Sequence, residues 1–271
     1  MTEKVPAVIK PLDSSADAVG SATEPMLFRP GTGRSNGHLF VKNSILARLS
    51  LQDLAAIGTF LEPIALRERM VLQEPKRPFN HVYFIESGLV SLRIVAPGSL
   101  LEAAVVGYRG AVGVSLVVGG NIPTQQSVVL FPGHALRIHA NDLRRVTSER
   151  PKILEHLLRY SQTHNTHCAQ MGLCGVRHGL EPRLACWLCL MCDALDSNVL
   201  PITHDYVSAV LGLHRAGVTR TLIRFEEQGL IRKMRGVLQV DDRGCLEQKA
   251  CCCYGVITGA YTSLEHPEIA E

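Results

Sequence analysis

Residues 203–231, reading THDYVSAVLGLHRAGVTRTLIRFEEQGLI, leave the chain few ways to fold. Thr203 is placed to cap a helix by accepting a backbone N–H, and Val207, Val210 and Leu211 then recur at the i, i+3, i+4 spacing of one apolar face. Gly212 falls where the chain must turn sharply, which suits a residue that reaches positive φ. A second helix follows with Val218, Leu222 and Phe225 on its buried face, while Arg215, Thr219 and Arg220 point elsewhere. Gly229 ends it. The pattern predicts a helix-turn-helix.

Charge indicates what the second helix would touch. Between positions 214 and 236, six cations (Arg215, Arg220, Arg224, Arg232, Lys233, Arg235) accompany two anions (Glu226, Glu227), whereas the whole chain carries a net charge of only +3. Clustered arginine at the start of a helix that fits a major groove suits phosphate contact and base reading. A solvated basic helix accounts for the charge alone equally well. Charge and turn together favour DNA.

The 271 residues suffice for about two domains with buried cores. No apolar run approaches the roughly 18–20 residues that span a bilayer, and Met1 to Lys10 lacks the apolar stretch of an export signal. The expected location is the cytoplasm, with no membrane partner. Nine cysteines without an export signal fit reduced thiols rather than a disulfide framework.

Residues 1–37, rich in Pro and Gly, read as a flexible tail. Ile45, Leu49, Leu54, Ile57 and Leu61 follow at helical spacing, with Ser50 as the cap of a second short helix. Between 63 and 140 short β-rich runs (Val82–Ile85, Leu89–Val95, Leu100–Val106, Gln126–Leu130, Ala135–Ile138) alternate with Gly and Pro, including a turn at Pro132-Gly133. They predict an antiparallel roll of about eight strands. Asn141 is placed to cap a short helix and Pro151 to open a long one. Along the long helix Leu154, Leu157, Leu158, Ser161, Asn165, Cys168 and Met171 form a stripe, which suits either a dimer seam or packing on the chain's own roll. Gly172, Gly175 and Gly179 mark a hinge before a further helix at Glu181–Leu195. The fold class is α+β.

A β-roll, a long helix and a helix-turn-helix, in that order, resemble the Crp/Fnr superfamily of bacterial transcription regulators from about residue 40 to 254. The resemblance is carried by Ile85-Glu-Ser-Gly88 in the roll, Gly107-Tyr-Arg-Gly-Ala-Val-Gly113 in its loop region and Leu211-Gly-Leu-His-Arg-Ala-Gly-Val-Thr-Arg220 in the reading module. Gly229-Leu-Ile231 and the run from Arg235 to Arg243 resemble the wing that ends such domains. It implies a tail at 1–37, a cyclic-nucleotide-binding-like roll at 38–147, a dimerisation helix at 148–177, a winged helix-turn-helix at 178–254 and a C-terminal tail at 255–271. It further implies a homodimeric regulator on a roughly palindromic operator, with RNA polymerase as partner.

By the same resemblance Arg215 and Arg220 occupy the two base- or phosphate-contacting arginine positions. Thr203, His214, Gly217 and Thr219 join them as DNA-binding positions, and Arg232, Lys233 and Arg235 face wing-side phosphates. Ala216 stands where the family often has a glutamate. A carboxylate accepts from cytosine N4 and alanine offers only an apolar contact, so a different half-site is expected. Gly217 either permits close backbone approach or is simply tolerated in the helix at a cost of about 1 kcal/mol.

Cyclic-nucleotide binders of the family use a glutamate for ribose and an arginine for the cyclic phosphate. Here the corresponding segments read Gly110-Ala-Val-Gly113 and Pro123-Thr-Gln-Gln-Ser127, without either charge, although Arg109 or Arg137 could supply a cation by another route. Cyclic AMP is therefore not expected, no cofactor is assigned and the effector stays open. The family's iron–sulfur branch uses cysteines near the N-terminus, whereas the first cysteine here is Cys168. Cys186, Cys189 and Cys192 share one helix face and read as core. Cys251-Cys-Cys253 reads as packing at a helix end, because adjacent helical residues diverge by about 100°. His164, His167 and Cys168 lack a fourth ligand, so no metal site is expected. A redox or metal sensor working through the cysteine-rich helices, with DNA binding secondary, is the alternative. No catalytic constellation marks the chain as an enzyme.

Overall fold

A computed structural model describes residues 41–97 and 99–265; the expected N-terminal tail lies outside them. The fold opens on two short helices, α1 (Ser44–Ala47) and α2 (Leu51–Gly58), capped by the side chains of Asn43 and Ser50. Asn43 is fully buried, and its amide also donates to the carbonyls of Ile85, Tyr108 and Gly110. It thereby ties the helices to the sheet that follows.

That sheet contains β1 (Glu62–Leu66), β2 (Val71–Gln73), β3 (His81–Ala96), β4 (Ser99–Val106), β5 (Ala111–Val112) and β6 (Gln126–His139). The order is β1-β6-β3-β4, with β2 also on β6 and β5 also on β3, and every pairing is antiparallel. Six strands replace the expected eight because runs read as separate are continuous. β3 passes through Gly88, at φ 82°, and the register with β6 shifts around it. Pro132-Gly133, expected as a turn, lies within β6 opposite that irregularity. Bulges let one long strand bend where a sequence reading sees two.

α3 (Ala140–Glu149) leads to α4 (Pro151–Arg177), a helix about 40 Å long at about 1.5 Å per residue. The cap of α3 is His139, whose Nδ1 accepts from Asn141 N, so Asn141 is the second residue of the helix rather than its cap. α4 buries Ile153, Leu157, Tyr160, Thr163, His167, Met171 and Cys174 within its own chain. Leu157 and Met171 therefore leave the proposed seam. Leu158 and Asn165 stay exposed, on a line with Gln162, Ala169, Gly172 and Val176.

α5 (Leu180–Leu195) carries a nearly unbroken buried run from Leu184 to Cys192 that includes Trp187. Cys186, Cys189 and Cys192 belong to this core, and burial pushes the thiols of Cys189 and Cys192 up to about 12 and about 11. After β7 (Val199–Leu200) come α6 (His204–Leu211), α7 (Arg215–Glu227), β8 (Ile231–Met234), β9 (Val237–Val240) and α8 (Arg243–Lys249). Strands β7, β9 and β8 form a small separate sheet.

Residues 255–265, expected as part of a tail, belong to a helix, and 266–271 lie outside the described residues. α9 (Cys252–Glu265) packs back along α4, buries Cys253 and Ile257, and ends with Glu265 paired to Arg109 at 2.7 Å. The unit built from α5 to α8 also meets the roll directly. Gly107, after β4, lies so close to the Ala194 carbonyl at the end of α5 that a Cβ there would overlap it.

Candidate nucleic-acid interface

Local sequence builds the reading head as the periodicity implied. Thr203 Oγ1 accepts from Tyr206 N and starts α6, and Gly212, at φ 60°, ends it with its N–H bonded to Ala209 O. Leu213 N bonds back to Ser208 O, closing the turn between the helices. The Arg183 guanidinium donates to Leu211 O at 2.6 Å and satisfies a carbonyl at the end of α6. Val207, Val210 and Leu211 of α6 join Val218, Leu222 and Phe225 of α7 in one core. This packing fixes α7 with its opposite face outward.

The outward face carries His214, Arg215, Ala216, Arg220, Ile223 and Arg224, all exposed. Arg215 pairs with Asp205 of α6, and Arg224 pairs with Glu181 of α5 at 3.0 Å. Both pairs are solvated, and such pairs contribute about 0–1 kcal/mol, so either arginine is easily surrendered to a phosphate. Arg220 makes no ion pair among the described residues. Thr219 turns toward α6, where its hydroxyl meets His204 Nδ1 at 3.1 Å.

The wing hairpin of β8 and β9 turns at Arg235-Gly236, with Gly236 at φ 74° and Arg235 exposed at the tip. Lys233 is drawn inward. Its Nζ lies 2.7 Å from Glu226 Oε2 and its backbone N–H donates to Glu226 Oε1, so it fastens the wing to α7. Arg232 is exposed and paired with Asp241 at 3.2 Å.

Two expectations change here. Gly217 does not face outward: a Cβ on it would stand 2.7 Å from Leu180 Cδ1, so it serves the fit of α7 against α5 rather than a ligand. Lys233 is committed to Glu226, which leaves Arg235 as the freer cation of the wing.

The sequence reading missed the group that joins the head to the roll. Glu102, on β4, is 2 % exposed. It accepts from Trp187 Nε1 of α5 at 2.6 Å, from the Tyr206 hydroxyl of α6 at 2.9 Å and from the Ser91 hydroxyl of β3. Arg93 donates to Ser91 Oγ at 3.0 Å and stacks over the Tyr206 ring. Burial raises the Glu102 pKa, and the three hydrogen bonds and the Arg93 charge oppose that rise. The available signal was a lone Glu in the apolar run Leu100-Leu-Glu-Ala-Ala-Val-Val106.

Between the roll and α4 lies a cavity of about 210 Å³ lined by residues including Gln73, Val112, Gln125, Tyr160 and His164. Its lining holds no glutamate and no arginine. Arg109, paired with Glu265, and Arg137, paired with Glu62, do not line it. Burial lowers the His164 pKa to about 4, leaving that ring neutral.

Residues 182–249 match the Crp-like helix-turn-helix domain. The fold matches solved structures at low identity. FixK2 from Bradyrhizobium japonicum has a TM-score of 0.62 at 16% identity, over 70% of this chain and 98% of that one. TTHA1359 from Thermus thermophilus, a transcriptional regulator of the CRP/FNR family, has 0.59 at 21%, over 70% and 98%. A CooA mutant from Carboxydothermus hydrogenoformans has 0.57 at 13%, over 78% and 96%. No curated protein matches the chain. The class is thus a roll joined by a long helix to a winged reading head. Residues 182–249 carry a Crp-like helix-turn-helix domain, and the fold around it is shared with solved regulators of the CRP/FNR family. No described helix is long and apolar enough to cross a membrane.

Proposed function

We propose that the chain is a sequence-specific transcription regulator, not an enzyme, that reads a roughly palindromic operator as a cytoplasmic homodimer. The observation that carries this reading is the outward face of α7, where Arg215, Arg220 and Arg224 stand exposed on a helix braced from behind by α6. Arg220 and Arg215 would contact bases or adjacent phosphates, with Ala216 and Ile223 offering apolar contact to a thymine methyl. His214 and Thr203, at the helix starts, and Arg232 and Arg235, on the wing, would reach phosphates.

The exposed line Leu158, Gln162, Asn165, Ala169, Gly172, Val176 alternates spacings of four and three along α4. That is the repeat of a two-helix seam, and its polar middle would set the pairing register. Two reading helices related by the dimer axis would enter successive major grooves about 34 Å apart. An activator of this kind would touch RNA polymerase from the operator.

The Glu102 cluster supplies a means of control. It links β4 of the roll with α5 and α6 of the head, so a signal that shifts β4 would reach the recognition helix through Tyr206. The uncharged roll cavity suits a small neutral effector better than a cyclic nucleotide.

In-vitro selection from random duplex DNA with the full-length protein tests the reading. Enrichment of an inverted repeat with half-sites one helical turn apart is expected, and footprinting should place both heads on it. Selection that yields no common sequence, with and without cell extract, would overturn the proposal.

A further inference from the structure

Four potential ligands meet where the long helix, the hinge and the C-terminal helix come together. Cys174 lies in the last turn of α4 and His178 at its C-cap, while Cys251 and Cys253 flank the start of α9. The three sulfurs and the ring nitrogen all lie within 4.8 Å of one another. Cys174 Sγ is 3.3 Å from Cys251 Sγ, and Cys253 Sγ is 3.6 Å from His178 Nδ1. The cysteines are 2 %, 7 % and 0 % exposed, in the order 174, 251 and 253, and His178 is half-buried at the rim.

Two local geometries produce the convergence. Cys174 and His178 stand four residues apart at a helix end, which puts both on one side. Cys251 stands before α9, after the extended Ala250, and its N–H bonds to Pro182 O at the start of α5. The divergence expected between neighbouring helical residues therefore does not apply. Cys251 and Cys253 point the same way, and Cys252 between them is exposed.

We propose that Cys174, His178, Cys251 and Cys253 form a tetrahedral site for one thiophilic metal ion of the zinc(II) class. Metal–sulfur bonds of about 2.3 Å and metal–nitrogen bonds of about 2.0 Å hold neighbouring donors about 3.5–3.8 Å apart, close to the spacings seen here. A cluster of several irons spreads its terminal thiolates more widely, so compactness selects a single ion. Hard cations such as calcium and magnesium prefer oxygen donors and find none in this set. Apolar packing alone explains buried thiols but gives no reason for an imidazole nitrogen among them. Cys186 of α5 is buried in the same core cluster as Cys174 and Cys251 and helps to shield them from water.

The bound ion would staple α9 across the hinge at Gly179, where the long helix gives way to the reading head. It would thereby fix the angle at which α5 leaves α4. The assignment does not depend on DNA recognition, because metal content reports it directly.

The test is metal content of the full-length protein, purified without oxygen and exposed to zinc, followed by cobalt substitution. One zinc per chain is expected, with cobalt giving the absorption of tetrahedral thiolate coordination. Cys251→Ser with Cys253→Ser, and separately His178→Ala, should lose the ion, and Cys245→Ser, exposed on α8, should keep it. Should the serine pair misfold by circular dichroism, His178→Ala, at the half-buried rim, decides the question. Four results would overturn the proposal: no retained ion, a multi-iron chromophore, a resting Cys174–Cys251 disulfide, or variants that bind zinc as the parent does.

Discussion

Charged side chains occur in two settings in this chain, and the settings assign them opposite work. On α7 and the wing, Arg215, Arg224 and Arg232 are solvated, each in a pair with one carboxylate, and Arg220 and Arg235 stand exposed. At the boundary of roll and head, Glu102 is withdrawn from water and holds Ser91, Trp187 and Tyr206 from three different elements. A solvated charge contributes little to folding and stays available to a partner. A buried one is committed to the fold, because every group bonded to it would otherwise be unsatisfied. Exposure, rather than residue type, separates the surface proposed to read DNA from the joint that ties roll to head.

The contrast breaks most visibly at Glu102. Glu102→Ala strands the buried Ser91 and Trp187 donors and releases the half-buried Tyr206 hydroxyl, and denaturant unfolding should show a loss of about 4 kcal/mol. An unchanged midpoint would mean that the boundary is already wet. Next in size is Arg220→Ala, expected to weaken specific binding by about 1–3 kcal/mol with no change in unfolding. A matching loss of stability would place Arg220 in the fold and erase the distinction.

Smaller effects sharpen it. Because burial raises the Glu102 pKa above its ordinary 4.5, the folded state holds that proton more tightly than the unfolded one. Its contribution is therefore fully present below about pH 4.5 and fades as pH rises through the raised value. Stability profiles of the parent and Glu102→Gln should diverge over that window, with the glutamine variant lacking the decline. On the wing, Arg235→Ala should reduce the slope of log affinity against log salt by about 0.9, the share of a single phosphate contact on duplex DNA. Lys233→Ala should change it less, since that cation is engaged by Glu226. Least of all, Gly217→Ala should leave DNA affinity unaltered in a titration, because the added methyl meets the flexible end of Leu180.

The same division by exposure explains what could be read from sequence. The helix-turn-helix was legible because local rules determine it: a cap at Thr203, an apolar period and a left-handed Gly212. The roll was legible as a class but miscounted, since Gly88 and Pro132-Gly133 look like breaks and act as bends inside long strands. α9 was missed because Gly255 and Gly259 dilute a helical pattern whose partner, α4, is distant in sequence. The cluster around Cys174 and Cys251 joins residues separated by 77 positions, and no periodicity reports such a meeting. Gly217 was left open between close backbone approach and simple tolerance, because a glycine in a helix gives no sign of which neighbour it accommodates.

The backbone contact between Gly107 and Ala194 bears on how closely head and roll can lie. Main chain rests on main chain there, with no rotamer to swing aside and no soft side chain to compress. Any side chain at position 107 would have to push the head off the roll, so the closeness of the two at that point depends on the absence of a single carbon atom.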